Sequence, residues 1–122
     1  MSYDLCFWSE RPGVRPPAQT VYERLLDVRA VDGLVPLAVE DYLGALADAF
    51  PEGLREPNGQ SEWFVWEGAD SMFEVWWSAA HARVTLRPLN EDNANRLIDI
   101  AASFRMPLYD PQTGERFPLA GD

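Results

Sequence analysis

The sequence predicts an α+β fold, in which an antiparallel sheet of about four to five strands carries three helices packed mainly on one face. Two observations lead to this prediction. Apolar residues alternate with a period of two at the start of the chain and again over residues 62–89, as they do in strands. In three other segments they recur every three or four residues, which is typical of helices with one apolar stripe. The length of 122 residues suits a single domain, residues 1–122.

The first 28 residues predict one strand and one helix. Residues 3–8 alternate between two faces, so we expect a strand that buries one of them. Residues 9–17 contain three prolines and a glycine and predict a loop. Residues 18–28 repeat apolar side chains at helical spacing, which predicts the first helix. Its stripe consists of Val21, Leu25 and Val28.

A second helix is predicted after the turn at Asp32 and Gly33. Its apolar residues recur at spacings of four, three and four, and Pro51 ends the pattern. These apolar residues are Val39, Leu43, Leu46 and Phe50. Residues 51–61, which are rich in proline, glycine and asparagine, predict a connecting loop.

Residues 62–67, 71–79 and 82–89 predict three strands of an antiparallel meander. Side chains alternate between the faces of a strand, so Phe73 and Val75 belong to one face. If that face is the core, the opposite sheet face carries Glu74, Trp76, Arg83 and Arg87.

The C-terminal part predicts a third helix and a hairpin or ordered turn. Asn90 is a good N-cap, and an acidic first turn follows it. The apolar stripe of this helix is Ala94, Leu97, Ile98, Ala101 and Phe104. In residues 107–117, an Asp-Pro pair and Gly114 predict a turn between two short extended segments.

Composition excludes some classes of function. The formal net charge of −10 argues against binding to nucleic acid, whose phosphates require a positive surface. No apolar run approaches the roughly 18 to 20 residues of a membrane span, and the N-terminus lacks the features of a signal peptide. We therefore expect a cytoplasmic protein that does not associate with membranes.

The negative charge is concentrated in one part of the chain. Residues 32–74 contain ten carboxylates and one base, Arg55, for a net charge of −9. The remainder, with ten acids and nine bases, has a net charge of −1. A local anionic field of this kind accelerates encounter with a basic partner. The alternative interpretation is a solvated surface whose charge serves solubility alone.

The sequence shows little that indicates catalysis, a metal or a cofactor. His81 and Cys6 are the only residues of their types, and no pair of metal ligands has a suitable spacing. We expect Cys6 to be a small core residue and His81 to be a solvated or surface-bonded imidazole at a bend. No nucleophile elbow and no glycine-rich phosphate loop is present. The chain is therefore not expected to be an enzyme.

The tryptophans leave an alternative open. Glu67, Asp70 and Glu74 lie near four tryptophans in sequence, and carbohydrate sites combine acids with aromatic platforms. Trp63 and Trp77 are expected in the core or in cross-strand pairs. Trp76 would then point to the opposite face, where it serves either as a binding hot spot or as a side chain covered by a helix.

Three segments resemble a group of small bacterial proteins. They are Tyr-Asp-Leu-Cys-Phe-Trp at residues 3–8, Asn-Arg-Leu-Ile-Asp-Ile at 95–100 and Pro-Leu-Tyr-Asp-Pro-Gln-Thr-Gly-Glu-Arg-Phe at 107–117. Together they are similar to immunity proteins encoded beside secreted or polymorphic toxins. The resemblance implies a cytoplasmic protein that binds and neutralises a cognate toxin, and it assigns a role to no particular residue.

The leading expectation is thus an immunity-type protein that binds a basic toxin through an acidic surface. The expected contact residues are Glu40, Asp41, Asp48, Glu62, Glu67, Asp70, Glu74 and Trp76. A carbohydrate-binding or small-ligand-binding domain, with or without hydrolytic activity, is one alternative, and a subunit of an oligomeric complex is another. The activity of the toxin, the mode of inhibition and the oligomeric state stay open.

Overall fold

The computed structural model describes residues 2–13, 16–27, 31–59 and 61–119. Within these ranges the chain forms seven strands and three helices, so the α+β class is confirmed. In order they are β1 (Tyr3–Trp8), α1 (Ala18–Leu26), α2 (Val39–Ala49), β2 (Leu54–Asn58), β3 (Ser61–Glu67), β4 (Met72–Trp77), β5 (His81–Arg87), α3 (Glu91–Ser103), β6 (Leu108–Asp110) and β7 (Glu115–Phe117).

The strands form one antiparallel sheet in the order β2-β3-β4-β5-β1-β6-β7. An isolated bridge between Glu10 and Leu34 extends the pairing beyond β1. The prediction of four to five strands was too low, because it omitted β2 and left the terminal hairpin of β6 and β7 undecided. The meander of β3, β4 and β5 and the final hairpin are present, with Gly114 at a φ of +74° in the last turn.

The prediction of a loop over residues 51–61 was wrong for its central part. Leu54–Asn58 pairs with β3 in a hairpin, and Gly59 after it has a φ of +67°, which glycine adopts without strain. Pro57 lies within this strand. Because β2 is at the edge of the sheet, the N–H group that proline lacks is not required by a second neighbour.

The main core lies between one sheet face and the helices α2 and α3. Helix α2 contributes Tyr42, Leu43 and Leu46, and the sheet contributes residues such as Phe73 and Val84. Asn90 caps α3 as predicted, since its side chain accepts a hydrogen bond from the Asn93 N–H at 3.0 Å.

Helix α1 packs on the opposite face of the sheet, and this differs from the prediction that β1 buries one face only. Cys6 and Trp8 on that face join Val21 and Leu25 of α1 and Tyr109 of β6 in a second, smaller core. Both faces of β1 are therefore covered. The helix ends at Leu26, and Val28, the last residue of its predicted stripe, lies outside the described residues. Among the described residues, no helix has the length and hydropathy required to cross a bilayer.

Candidate functional site

Helix α1 packs on the β1 and β6 part of its sheet face, and β2 to β5 form the neighbouring part of the same face. We call this neighbouring part the open face. Directly paired residues of neighbouring strands share a sheet face, which places Trp63, Trp76 and Arg83 in one row across β3, β4 and β5. Glu74 and Arg87 belong to the same face. The sequence-based grouping of Glu74, Trp76, Arg83 and Arg87 on the face opposite the core is therefore confirmed.

Trp76 is half-buried and lies between two partners. Its ring meets that of Trp63 edge to face, with the centroids 5.5 Å apart. On the other side, the Arg83 guanidinium lies 4.9 Å from the Trp76 ring centroid. Trp63 thus forms the expected cross-strand pair, whereas Trp77 packs against the main core. Trp76 belongs to neither of the two hydrophobic cores of the described residues.

Glu74 differs from the other predicted contact residues because it is buried. Only 8% of its side chain is exposed, and its Oε1 accepts a hydrogen bond from Arg87 Nη1 at 2.6 Å. An ion pair of this kind holds β4 to β5. A carboxylate that is buried and paired adds little to an acidic outer surface.

Glu40 and Glu62 are brought together by one arginine. Arg55 of β2 donates to Glu40 of α2 at 2.8 Å and to Glu62 of β3 at 3.0 Å. These hydrogen bonds raise the pKa of Arg55. The two carboxylates remain accessible, with 75% and 48% of their side chains exposed. The cluster therefore connects α2 to the β2–β3 hairpin without burying the charges.

The other predicted acidic residues also lie on the outside of the molecule. Asp41 and Asp48 are exposed on α2, and Glu67 and Asp70 are exposed at the turn between β3 and β4. Helix α2 lies beside β2, since a shallow groove of about 380 Å³ between them is lined by residues of both. We call the exposed carboxylates of α2, the turn between α2 and β2, the β2–β3 hairpin and the β3–β4 turn the acidic edge. They are Glu40, Asp41, Asp48, Glu52, Glu56, Glu62, Glu67 and Asp70.

A larger cleft of about 590 Å³ lies where the open face meets the end of α1. One side is apolar and consists of Leu25 and Leu26 of α1 with Leu34. The other side consists of Trp76, Arg83 and the turn between β4 and β5. The described residues that line it include no aspartate or glutamate. We call it the Trp76 cleft.

His81 lines this cleft and is buried, so the expectation of a solvated or surface-bonded imidazole was wrong. Its Nδ1 is hydrogen-bonded to Ser78 Oγ at 2.6 Å, and Ser78 Oγ also accepts the Ala80 N–H at 3.1 Å. Burial, together with the positive charge of Arg83, lowers the pKa of His81 to about 4. The imidazole is therefore neutral at pH 7, and its basicity is lower than that of an ordinary general base.

Cys6 is buried in the second core, as expected. Burial raises the pKa of its thiol to about 12, so the reactive thiolate is scarce at neutral pH. Among the described residues, no three His, Cys, Asp or Glu side chains are grouped so that they could hold a metal ion.

No protein-family model, curated protein or solved structure matches this chain. The sequence pattern predicts Trp76 and the acidic residues as contact residues, and this stays a prediction; it gives no sign of the cleft. The cleft forms because α1 docks on the sheet face opposite α2 and α3, and the periodicity of α1 does not specify which face it covers.

Proposed function

We propose that this chain is an immunity-type protein, which binds a basic protein toxin through the acidic edge and so neutralises it. The observation that carries the proposal is the exposure of all eight carboxylates between Glu40 and Asp70, with Arg55 as the one base in that stretch. The sequence resemblance to immunity proteins points to the same class.

The arrangement of these charges suits recognition of a cationic surface. Arg55 neutralises part of the charge of Glu40 and Glu62, and the other six carboxylates have no ion pair within the part of the chain that the structure describes. Uncompensated charge of one sign on adjoining elements raises the association rate with an oppositely charged partner by roughly 10-fold to 1000-fold at low salt.

An apolar contact is available next to these charges. Leu54 of β2 is 62% exposed, although it is a large aliphatic residue in a strand. Stable protein interfaces surround a buried apolar centre with a polar rim, and Leu54 beside Glu52 and Glu56 has that composition. Affinity would then come from Leu54 and its surroundings, and the carboxylates would supply rate and specificity.

Association kinetics test this proposal once the chain is paired with the product of a neighbouring gene. We expect Asp48→Lys with Asp70→Lys to slow association at least 10-fold at low salt and to weaken its dependence on ionic strength. The matched control is Asp27→Lys with Asp99→Lys, which makes the same change in net charge at exposed positions outside the acidic edge. Equal association rates for both double variants would place the interface elsewhere.

A further inference from the structure

Arg83 is the positive charge of the Trp76 cleft, and it has no carboxylate partner in the described part of the chain. The ion pairs there join Arg55 to Glu40 and Glu62, and Arg87 to Glu74. The contact of the Arg83 guanidinium is with the ring of Trp76. The positive charge of Arg83 is therefore available to an anionic ligand.

The guanidinium of Arg83 contacts the ring of Trp76 and so remains able to bind an anion. Its N–H groups lie in one plane and suit a carboxylate with two oxygens. Trp76 also orients the side chain, so less conformational entropy is lost when an anion binds.

The remainder of the cleft is suited to the apolar chain of a ligand. Leu25, Leu26 and Leu34 face the Trp76 side, and Leu26 is 43% exposed although it is apolar. His81 is neutral at pH 7 and adds no charge. A volume of about 590 Å³ is within the usual range for small-molecule sites.

We propose that the Trp76 cleft binds a small carboxylate with an apolar chain, with the carboxylate on Arg83 and the chain against the leucines of α1 and Leu34. This site uses none of the residues of the acidic edge, so it is independent of the proposed toxin binding. The acidic edge and the positively charged cleft would serve two different ligands, although both include residues of β3.

Titration with decanoate, and with decanol as its uncharged analogue, tests the proposal. Intrinsic tryptophan fluorescence reports occupancy, because Trp76 and Trp77 both line the cleft. We expect saturable binding of one decanoate, at least 10-fold tighter than decanol, since a charge-assisted bidentate contact distinguishes the two. Equal binding of decanoate and decanol would overturn the assignment of Arg83, and no saturable binding of decanoate would overturn the site.

Two variants separate the role of Arg83 from general effects on folding. Arg83→Gln should reduce the affinity for decanoate at least 10-fold and leave the affinity for decanol unchanged. The control Arg24→Gln removes one positive charge at an exposed position of α1 and should alter neither affinity. Leu26→Glu at the rim places a negative charge at the cleft without removing a buried group, and it should also weaken decanoate binding. Wild-type affinity for decanoate in both Arg83→Gln and Leu26→Glu would contradict the proposal.

Discussion

The guanidinium of Arg83 lies over the indole of Trp76, directly across the pairing of β4 and β5, with 4.9 Å to the ring centroid. The contact fixes Trp76 on the open face, where Trp63 holds it from the other side. A tryptophan that the sequence placed outside the core is thus an ordered part of the sheet surface and a wall of a cleft.

Replacing Trp76 should lower stability moderately. Trp76→Ala removes an edge-to-face ring pair and a cation–π contact, which together contribute about 1–2.5 kcal/mol. Trp76→Phe keeps an aromatic ring, so its loss of stability should be less than half of the loss caused by Trp76→Ala. Urea denaturation followed by circular dichroism measures both, and an alanine variant as stable as the wild type would show that these contacts contribute nothing.

Tyr42 has a buried hydroxyl without a hydrogen-bond partner among the described residues. Its ring packs edge to face on Phe104 at 5.5 Å, and burial raises the pKa of the phenol. Tyr42→Phe keeps the ring and removes the unsatisfied group, so we expect unchanged or higher stability, by up to about 1 kcal/mol.

Tyr109 is the matched control for that substitution. It is equally buried, but its hydroxyl donates to Gln19 of α1. Tyr109→Phe should therefore lower the free energy of unfolding by about 1 kcal/mol. Equal effects of the two substitutions would contradict the difference in hydrogen bonding.

The protein should become less stable as the pH decreases below about 6.5, because of His81. The folded pKa of His81 is lowered to about 4, so the unfolded chain binds a proton first as the pH decreases. The contribution is complete above the unfolded pKa and is lost as the pH falls through the folded pKa, in total roughly 3 kcal/mol. His81→Gln should flatten the profile between pH 6.5 and 4, and an unchanged slope would assign the effect to other groups.

Glu74 and Glu67 should behave differently although the sequence grouped them. Glu74→Gln weakens a buried ion pair with a half-exposed arginine, and we expect a loss of about 1–2 kcal/mol. Glu67→Gln at an exposed position should change stability by less than about 0.5 kcal/mol. Thermal unfolding of the two variants gives this comparison, and a smaller effect at Glu74 would be inconsistent with its burial.

Local patterns in the sequence account for most of the elements. The helices and the β3 to β5 meander follow from periodicity, and Asn90 and Gly114 mark a helix start and a turn. The strand β2 was missed because Pro57 and Gly53 suggested a loop, although Asn58 followed by Gly59 is a typical hairpin signal.

Tertiary placement was less accessible from the sequence. Alternation assigned Glu74 and Trp76 to one face, but it gave no information on whether that face was covered or which charges were paired. The burial of Glu74 depends on its contact with Arg87 thirteen residues away. The Trp76 cleft depends on α1, whose amphipathic pattern would suit either side of the sheet. Such features depend on contacts between elements and not on local spacing.

The central claim, that this chain neutralises a protein toxin through the acidic edge, is tested most directly by growth rescue. Each neighbouring gene product is expressed alone, with the wild-type chain, with the Asp48→Lys and Asp70→Lys double variant, and with the Asp27→Lys and Asp99→Lys control. We expect that one product is toxic alone, that the wild-type chain and the control restore growth, and that the double variant restores it poorly. The absence of rescue for every neighbouring product would contradict it.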